Sequence, residues 1–115
     1  MKDYALFAFN DDIMCFAHAL LNALDLNGRG HRVRIVIEGA ATQLIPTLSK
    51  EDHPFFGLFG KARALGLIDG VCRVCSNKMG TLEAAQALGL GLLDEMNGHP
   101  AMGHYLEQGF QIITF

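Results

Sequence analysis

The first third of the chain contains two apolar strands separated by one helix. Residues 4–9 form a continuous apolar run, which is typical of a strand buried on both faces of a parallel sheet. Residues 13–26 carry apolar side chains at helical spacing, and residues 33–37 form a second apolar strand. Because a strand–helix–strand unit crosses over right-handedly, its two strands are parallel. The pattern therefore predicts an α/β protein built on a parallel sheet.

The rest of the chain continues this alternation of helices and strands. Pro46 interrupts the first of the later helices, and Pro54 is expected at the first position of the next one. The predicted elements are helices at 40–48 and 55–65, a strand within 67–75, a helix at 82–88, a glycine-weakened strand at 89–93, a helix within 97–108 and a strand at 110–115. This order predicts one domain, 1–115, folded as a three-layer α/β/α sandwich with about five mostly parallel strands.

The composition indicates a single domain with a substantial core. Half of the 115 residues are hydrophobic, 18% are charged, and the net charge is −3. The nine lysines and arginines are scattered, so no basic nucleic-acid footprint is present. No apolar run approaches the roughly 20 residues that span a bilayer, and the N-terminus lacks a signal-peptide pattern. Three cysteines are too few for a disulfide framework, so we expect a cytoplasmic protein.

The helix predicted at 55–65 carries apolar residues on more than one side. These are Phe55, Phe56, Leu58 and Phe59. One face can pack on the sheet, and we expect the remainder to be exposed in a monomer. An exposed apolar surface of this kind indicates a contact between subunits, so the sequence predicts a homo-oligomer.

Polar side chains follow the predicted strands at the edge of the sheet where ligands bind in open α/β folds. Glu38 follows the second strand, Cys75 the third and His99 the fourth. Cys15 lies in the first turn of the first helix, near the same edge. The first strand contributes Asn10, Asp11 and Asp12. We therefore expect one site that combines thiols, carboxylates and a histidine.

Two of the three cysteines lie in the segment 70–80, where they form a C-x-x-C motif. We expect Cys75 at the end of the third strand, from which the chain turns through Ser76 and Asn77 into the next helix. A thiol at such a junction faces the positive end of the helix, which favours the thiolate. Lys78 would add a nearby positive charge. The segment therefore predicts a reactive thiolate at Cys75.

The roles of the other two cysteines stay open. In a straight strand, residues three apart point to opposite faces, so Cys72 and Cys75 would diverge. They could form a redox disulfide only if the strand ended at Cys72. Cys15 occupies the third position after the helix cap expected at Asp12, where a thiol has either a lowered pKa or a place in the core beside Phe16.

Zinc binding is the main competing chemistry for these residues. The C-x-x-C motif supplies half of a tetrahedral ligand set, which Cys15 or His99 could complete. However, His99 lies outside the roughly 12–15-residue spacing of zinc fingers, and there is no second C-x-x-C motif. Residues 10–12 contain no glycine and are acidic, which disfavours phosphate binding. We therefore expect no bound cofactor, with zinc as the alternative.

The order of elements, the strand-end Cys75-Ser76-Asn77 and the small-residue helix after it resemble the DsrE/DsrF-like family of sulfur-relay proteins. The resemblance covers essentially the whole chain and includes the ending from Gly98-His99-Pro100 to Gly109. It implies a flavodoxin-like α/β/α sandwich, a homotrimer or homohexamer, and a persulfide carried on Cys75.

Two functions follow as hypotheses. In the first, Cys75 accepts sulfur from a donor protein as a persulfide and passes it to a partner thiol, with Cys72 or Cys15 able to resolve it. In the second, the chain is a non-catalytic oligomeric module that binds a metal or a small ligand in the same cleft. Because both hypotheses include the oligomer, thiol chemistry is what separates them.

Overall fold

A computed structural model describes residues 1–115 as one five-stranded sheet covered by helices. All strand pairs are parallel, and the strand order is β4-β3-β2-β1-β5. The strands are β1 (Asp3–Ala8), β2 (Arg32–Ile37), β3 (Ile68–Cys72), β4 (Leu92–Leu93) and β5 (Gln111–Thr114). The predicted α/β fold with a parallel five-stranded sheet is confirmed.

The helices form the outer two layers of the sandwich. They are α1 (Ile13–Gly28), a 3-10 helix (Gly39–Gln43), α2 (Leu44–Leu48), α3 (Phe56–Ala64), α4 (Arg73–Lys78), α5 (Leu82–Ala87) and α6 (Met102–Glu107). Residues of α1, α2, α3 and α5 share one large core, whereas α6 contributes to a separate, smaller core. None of the helices combines the length and the apolar character that a membrane span requires.

The two cores lie on opposite faces of the sheet, as alternation along β1 shows. Leu6 and Ala8 belong to a core of 17 buried residues, whereas Ala5 and Phe7 belong to a core of five. Successive side chains of a strand point to opposite faces, so the buried part of β1, residues 5–8, must be apolar at every position to fill both cores. This burial explains the continuous apolar run in the sequence.

The smaller core fixes α6 against the sheet through Tyr105. Its ring packs edge-on against Phe7 and Phe110, with centroids 5.4 and 5.8 Å away. Its hydroxyl donates a hydrogen bond to the carboxylate of Asp69 in β3. Burial raises the pKa of Tyr105, and the Asp69 carboxylate raises it further, so the phenol stays a neutral donor.

The start of α1 is held by the polar residues predicted to cap it. The Asp12 carboxylate accepts hydrogen bonds from the N–H groups of Met14 and Cys15, at 2.8 and 3.2 Å. The side chain of Asn10 in turn accepts one from the N–H of Asp12 at 2.8 Å. These bonds satisfy N–H groups that would otherwise lack a partner in the first turn of a helix.

The apolar side chains around α3 are less exposed than expected. Phe59 is buried in the large core, Phe55 and Leu58 pack against that core, and Phe56 is half-buried. The helix begins at Phe56, so Pro54 precedes it instead of occupying its first position. The prediction of an exposed apolar surface on this helix is therefore wrong. Self-association stays a prediction, and the side chains of this helix no longer support it.

The third strand ends three residues earlier than expected. Its last residue is Cys72, and α4 begins immediately afterwards at Arg73. The prediction that Cys75 ends the strand, with the next helix starting only at residue 82, is therefore wrong. Instead, Cys75 lies in the first turn of α4. The strand-like Val74 hides this helix, which at six residues is too short to show a helical period.

Candidate functional site

Four side chains with metal-ligating or nucleophilic groups meet at the carboxyl end of the sheet. The residues are Glu38, Cys72, Cys75 and His99, and their ligand atoms all lie within 4.8 Å of one another. Glu38 follows β2, and Cys72 ends β3. Cys75 lies in the first turn of α4, and His99 lies in the loop between β4 and α6. We call these four residues the thiol cluster.

Cys72 is the most deeply buried member of the thiol cluster, with no exposed surface. Its Sγ lies 3.2 Å from Nδ1 of His99 and accepts a hydrogen bond from the N–H of Cys75 at 3.4 Å. Burial raises the pKa of the Cys72 thiol above its ordinary value, and the side chains of Cys75 and Glu38 raise it further. Cys72 is therefore a neutral thiol at neutral pH.

Cys75 is the more accessible of the two clustered thiols. Its half-buried Sγ lies 3.7 Å from Nδ1 of His99 and 3.7 Å from Oε1 of Glu38. His99 and Glu38 are themselves 3.7 Å apart, with side chains 38% and 11% exposed. The thiol thus faces both a base that can take its proton and a carboxylate that can stabilise the resulting imidazolium.

We predict that alkylating agents modify Cys75 before Cys72. In a Cys15→Ser variant, iodoacetamide should label Cys75 at least about tenfold faster at neutral pH, because each unit by which a pKa is raised lowers the thiolate fraction tenfold. Trypsin cleaves after Arg73 and so separates the two cysteines for mass spectrometry. Equal labelling rates in the folded protein would contradict the buried position of Cys72.

The residues predicted after the first strand do not join the thiol cluster. Asn10 and Asp12 are engaged in capping α1, and Asp11 is exposed beside them. Cys15 is half-buried in the first turn of α1, and its sulfur is not part of the cluster. The expected convergence of Cys15 with Cys75 is therefore not found. Cys72, which would point away from Cys75 on a straight strand, instead lies beside it because the strand ends at Cys72.

The three residues after Cys75 contribute no side chain to the thiol cluster. Ser76 is buried, and its hydroxyl has no hydrogen-bond partner. Asn77 and Lys78 are exposed, and Lys78 lies in the last turn of the helix. Lys78 forms no ion pair with the cluster, so the predicted cation beside Cys75 is not found.

Gly98 is a positioning residue that sequence reasoning missed. It has a φ of 91°, and a Cβ at this position would lie 2.0 Å from Cγ2 of Val74. Its carbonyl accepts a hydrogen bond from the N–H of Val74 at 3.1 Å, which ties the loop to α4. Asn97 also has a positive φ, of 51°. The Asn97-Gly98 pair is a turn signal, and this turn places His99 beside the sulfurs.

A cavity of about 400 Å³ is lined by chain neighbours of the clustered residues, although none of the four clustered side chains lines it. It lies between α4 and the loop that carries His99, and the ion pair of Arg73 with Asp94, at 3.0 Å, forms part of its wall. Val74 and Gly98, which are neighbours of the clustered residues in the chain, also line it.

No family model matches the chain. A 41-residue segment, 36% of the chain, is 51% identical to an uncharacterized protein of Archaeoglobus fulgidus and covers 67% of it. The fold is similar to that of BT1422 from Bacteroides thetaiotaomicron, a conserved protein of unknown function. The TM-score is 0.74 at 18% identity, over 99% of this chain and 95% of that one.

Similarity over most of the chain extends to a protein of Methanocaldococcus jannaschii, the uncharacterized protein MJ0733. The two sequences are 31% identical over 96 residues, which cover 84% of this chain and 76% of MJ0733. The chain therefore belongs to the family of MJ0733.

Proposed function

We propose that this protein carries sulfur on Cys75, as its resemblance to the DsrE/DsrF-like proteins implies. The observation that carries the proposal is the position of the Cys75 Sγ. Cys75 is half-buried, and its Sγ lies 3.7 Å from both Nδ1 of His99 and Oε1 of Glu38. A thiol next to a histidine that is paired with a carboxylate is the arrangement of an activated sulfur nucleophile.

In the proposed reaction, Cys75 attacks the outer sulfur of a donor persulfide. Nδ1 of His99 takes the thiol proton, and the nearby Glu38 carboxylate stabilises the imidazolium that forms. A new S–S bond joins Sγ to the outer sulfur, the S–S bond of the donor breaks, and the donor leaves as a thiolate. Transfer to an acceptor thiol is the same exchange in the opposite direction.

Cys72 is the thiol that we propose to resolve a loaded Cys75. Both sulfurs belong to the thiol cluster, within 4.8 Å of each other. Attack of Cys72 on the Sγ of the Cys75 persulfide forms a Cys72–Cys75 disulfide and releases the outer sulfur as hydrogen sulfide. Cys15 lies outside the cluster, so the proposal gives it no part in the reaction.

Intact-mass spectrometry after treatment with glutathione persulfide tests this function. At times too short for resolution by Cys72, we expect the wild-type protein to gain one sulfur atom and Cys75→Ser to gain none, while the matched thiol control Cys15→Ser loads normally. His99→Asn should load more slowly by a factor of about 10²–10⁴, the usual contribution of a general base. Equal loading of Cys75→Ser and the wild type would refute the function.

Protein partners and a homo-oligomer are part of the proposal. Phe9, Met14 and Met96 are 36%, 55% and 50% exposed, and all three lie at the carboxyl edge of the sheet. Exposed apolar side chains at the same edge of the sheet as Cys75 support contact with a donor or acceptor protein. Three free cysteines also support a reducing compartment, and we propose the cytoplasm.

Metal binding is the second candidate function, and the composition of the thiol cluster favours it. Two thiols, an imidazole and a carboxylate lie within 4.8 Å of one another. These are the groups that bind Zn²⁺ in proteins, so zinc is the ion that we propose for this function.

A further inference from the structure

We propose that the thiol cluster is a complete tetrahedral centre for a divalent ion of the zinc type, and that the bound ion withholds Cys75 from sulfur chemistry. The first half of this proposal stands on the geometry of Glu38, Cys72, Cys75 and His99. The second half rests on the proposed sulfur-carrying function, because it concerns the regulation of the same sulfur atom.

Four of the six distances between ligand atoms of the thiol cluster are close to the edges of a tetrahedron, and the other two are at most 4.8 Å. Zn–S bonds of about 2.3 Å and Zn–N or Zn–O bonds of about 2.0–2.2 Å place neighbouring ligand atoms roughly 3.3–3.8 Å apart. Nδ1 of His99 lies 3.2 and 3.7 Å from the two sulfurs, and Oε1 of Glu38 lies 3.7 Å from both Cys75 Sγ and Nδ1. An ion can therefore be bound with little movement of the four side chains.

Backbone contacts around the thiol cluster hold the ligands in place. The N–H of Cys75 donates to Cys72 Sγ at 3.4 Å, a bond that strengthens when the sulfur becomes a thiolate. The N–H of Val74 donates to the carbonyl of Gly98, and the N–H of Met96 donates to the carbonyl of His99 at 2.8 Å. The Val74 bond joins α4 to the histidine loop, and the other two hold the start of α4 and the loop itself, as the supporting shell of a metal centre must.

The charges of the thiol cluster call for a cation. It contains one carboxylate and two groups that become anions as ligands, and Cys72 and Glu38 are buried. No lysine or arginine forms a hydrogen bond or ion pair with these side chains. A divalent ion would neutralise the two thiolates that it binds, with release of two protons.

Metal binding and sulfur loading exclude one another because both use Cys75 Sγ. As a ligand, this thiolate donates its electron pair to the ion and is no longer free to attack a donor persulfide. In the metal-free protein, the same electron pair forms the new S–S bond. The bound ion therefore holds the protein in a state that does not accept sulfur, and its removal restores the nucleophile.

Titration of the metal-free protein with Co²⁺ tests the centre itself. We expect one ion per chain, with the visible absorption of tetrahedral Co²⁺ bound to thiolates, and complete displacement by Zn²⁺. Cys75→Ser and Glu38→Gln each remove a proposed ligand and should weaken binding at least about 100-fold. Changes to second-shell residues alone cost up to about 100-fold, so the loss of a ligand should cost no less. Cys15→Ser should match the wild type. Absence of the tetrahedral spectrum, or unchanged affinity in Cys75→Ser, would overturn the centre.

Sulfur loading with and without Zn²⁺ tests the competition. With free Zn²⁺ at about ten times its dissociation constant, the metal-free fraction and the loading rate should fall about tenfold, and EDTA should restore both. Equal loading with and without bound Zn²⁺ overturns the competition and leaves the sulfur function standing. No loading of the metal-free protein overturns the sulfur function and with it the competition, whereas the Co²⁺ spectrum reports separately on the centre.

Discussion

Gly98→Ala is expected to move His99 away from the two sulfurs and to disable the thiol cluster. The new Cβ would lie 2.0 Å from Cγ2 of Val74, a branched side chain with little rotamer freedom in a helix. The positive φ of 91° adds a backbone cost of about 1–2 kcal/mol for any residue with a Cβ. Because the new Cβ overlaps a side chain of α4, the loop that carries His99 must move away from α4 as a whole to remove the overlap.

The matched control for this change is Gly103→Ala. Gly103 lies in α6, where a Cβ would meet no atom within 4 Å, so alanine should be neutral or stabilise the protein by up to about 1 kcal/mol. For Gly98→Ala we expect at least about a tenfold loss in sulfur-loading rate, which corresponds to about 1.4 kcal/mol. Urea denaturation should show lower stability as well. Wild-type loading by Gly98→Ala would show that the position of His99 is unimportant.

Phe16→Ala is expected to lower the free energy of unfolding by about 3–5 kcal/mol. Phe16 is 1% exposed and packs its ring 6.4 Å from that of Phe59, so it joins α1 to α3 within the large core. Removing the ring leaves a cavity that the surrounding helices fill only in part. For a domain of this size, such a loss is a large share of the total stability.

Urea denaturation measures this loss against Leu21→Ala on the same helix. Leu21 is 50% exposed, so its truncation should change the free energy of unfolding by no more than about 0.5 kcal/mol. Both variants shorten a side chain of α1, and they differ mainly in burial. A loss below about 1 kcal/mol for Phe16→Ala would contradict the packing of α1 on the sheet.

The sequence predicts best those elements whose side chains are buried on both faces of the sheet. Both faces of β1 and β2 are covered, so these strands are largely apolar and easily recognised. The start of α1 has a side-chain cap at Asp12, which is a local signal. Helix α4 has neither a long period nor a polar capping residue. Its cap is the sulfur of Cys72, so the sequence pattern does not predict this helix.

The site was predicted in outline because topology alone brings the ends of parallel strands to one edge. Glu38 and His99 were placed there by this rule, together with Cys75. The rule gives no distances, however. The contact of His99 with the sulfurs depends on positive φ angles at Asn97 and Gly98. Cys15 reaches the same edge but lies on α1, outside the cluster, which only the packed structure could show.

The most direct test of the sulfur-carrying function is to locate the added sulfur within the protein. Metal-free wild-type protein would be loaded with glutathione persulfide, trapped with iodoacetamide and digested with trypsin, which cuts after Arg73 and Lys78 and separates the three cysteines. We predict one extra sulfur on the peptide of Cys75 and none on that of Cys15. Sulfur on Cys15 alone, or spread evenly over the three cysteines, would contradict a specific carrier at Cys75.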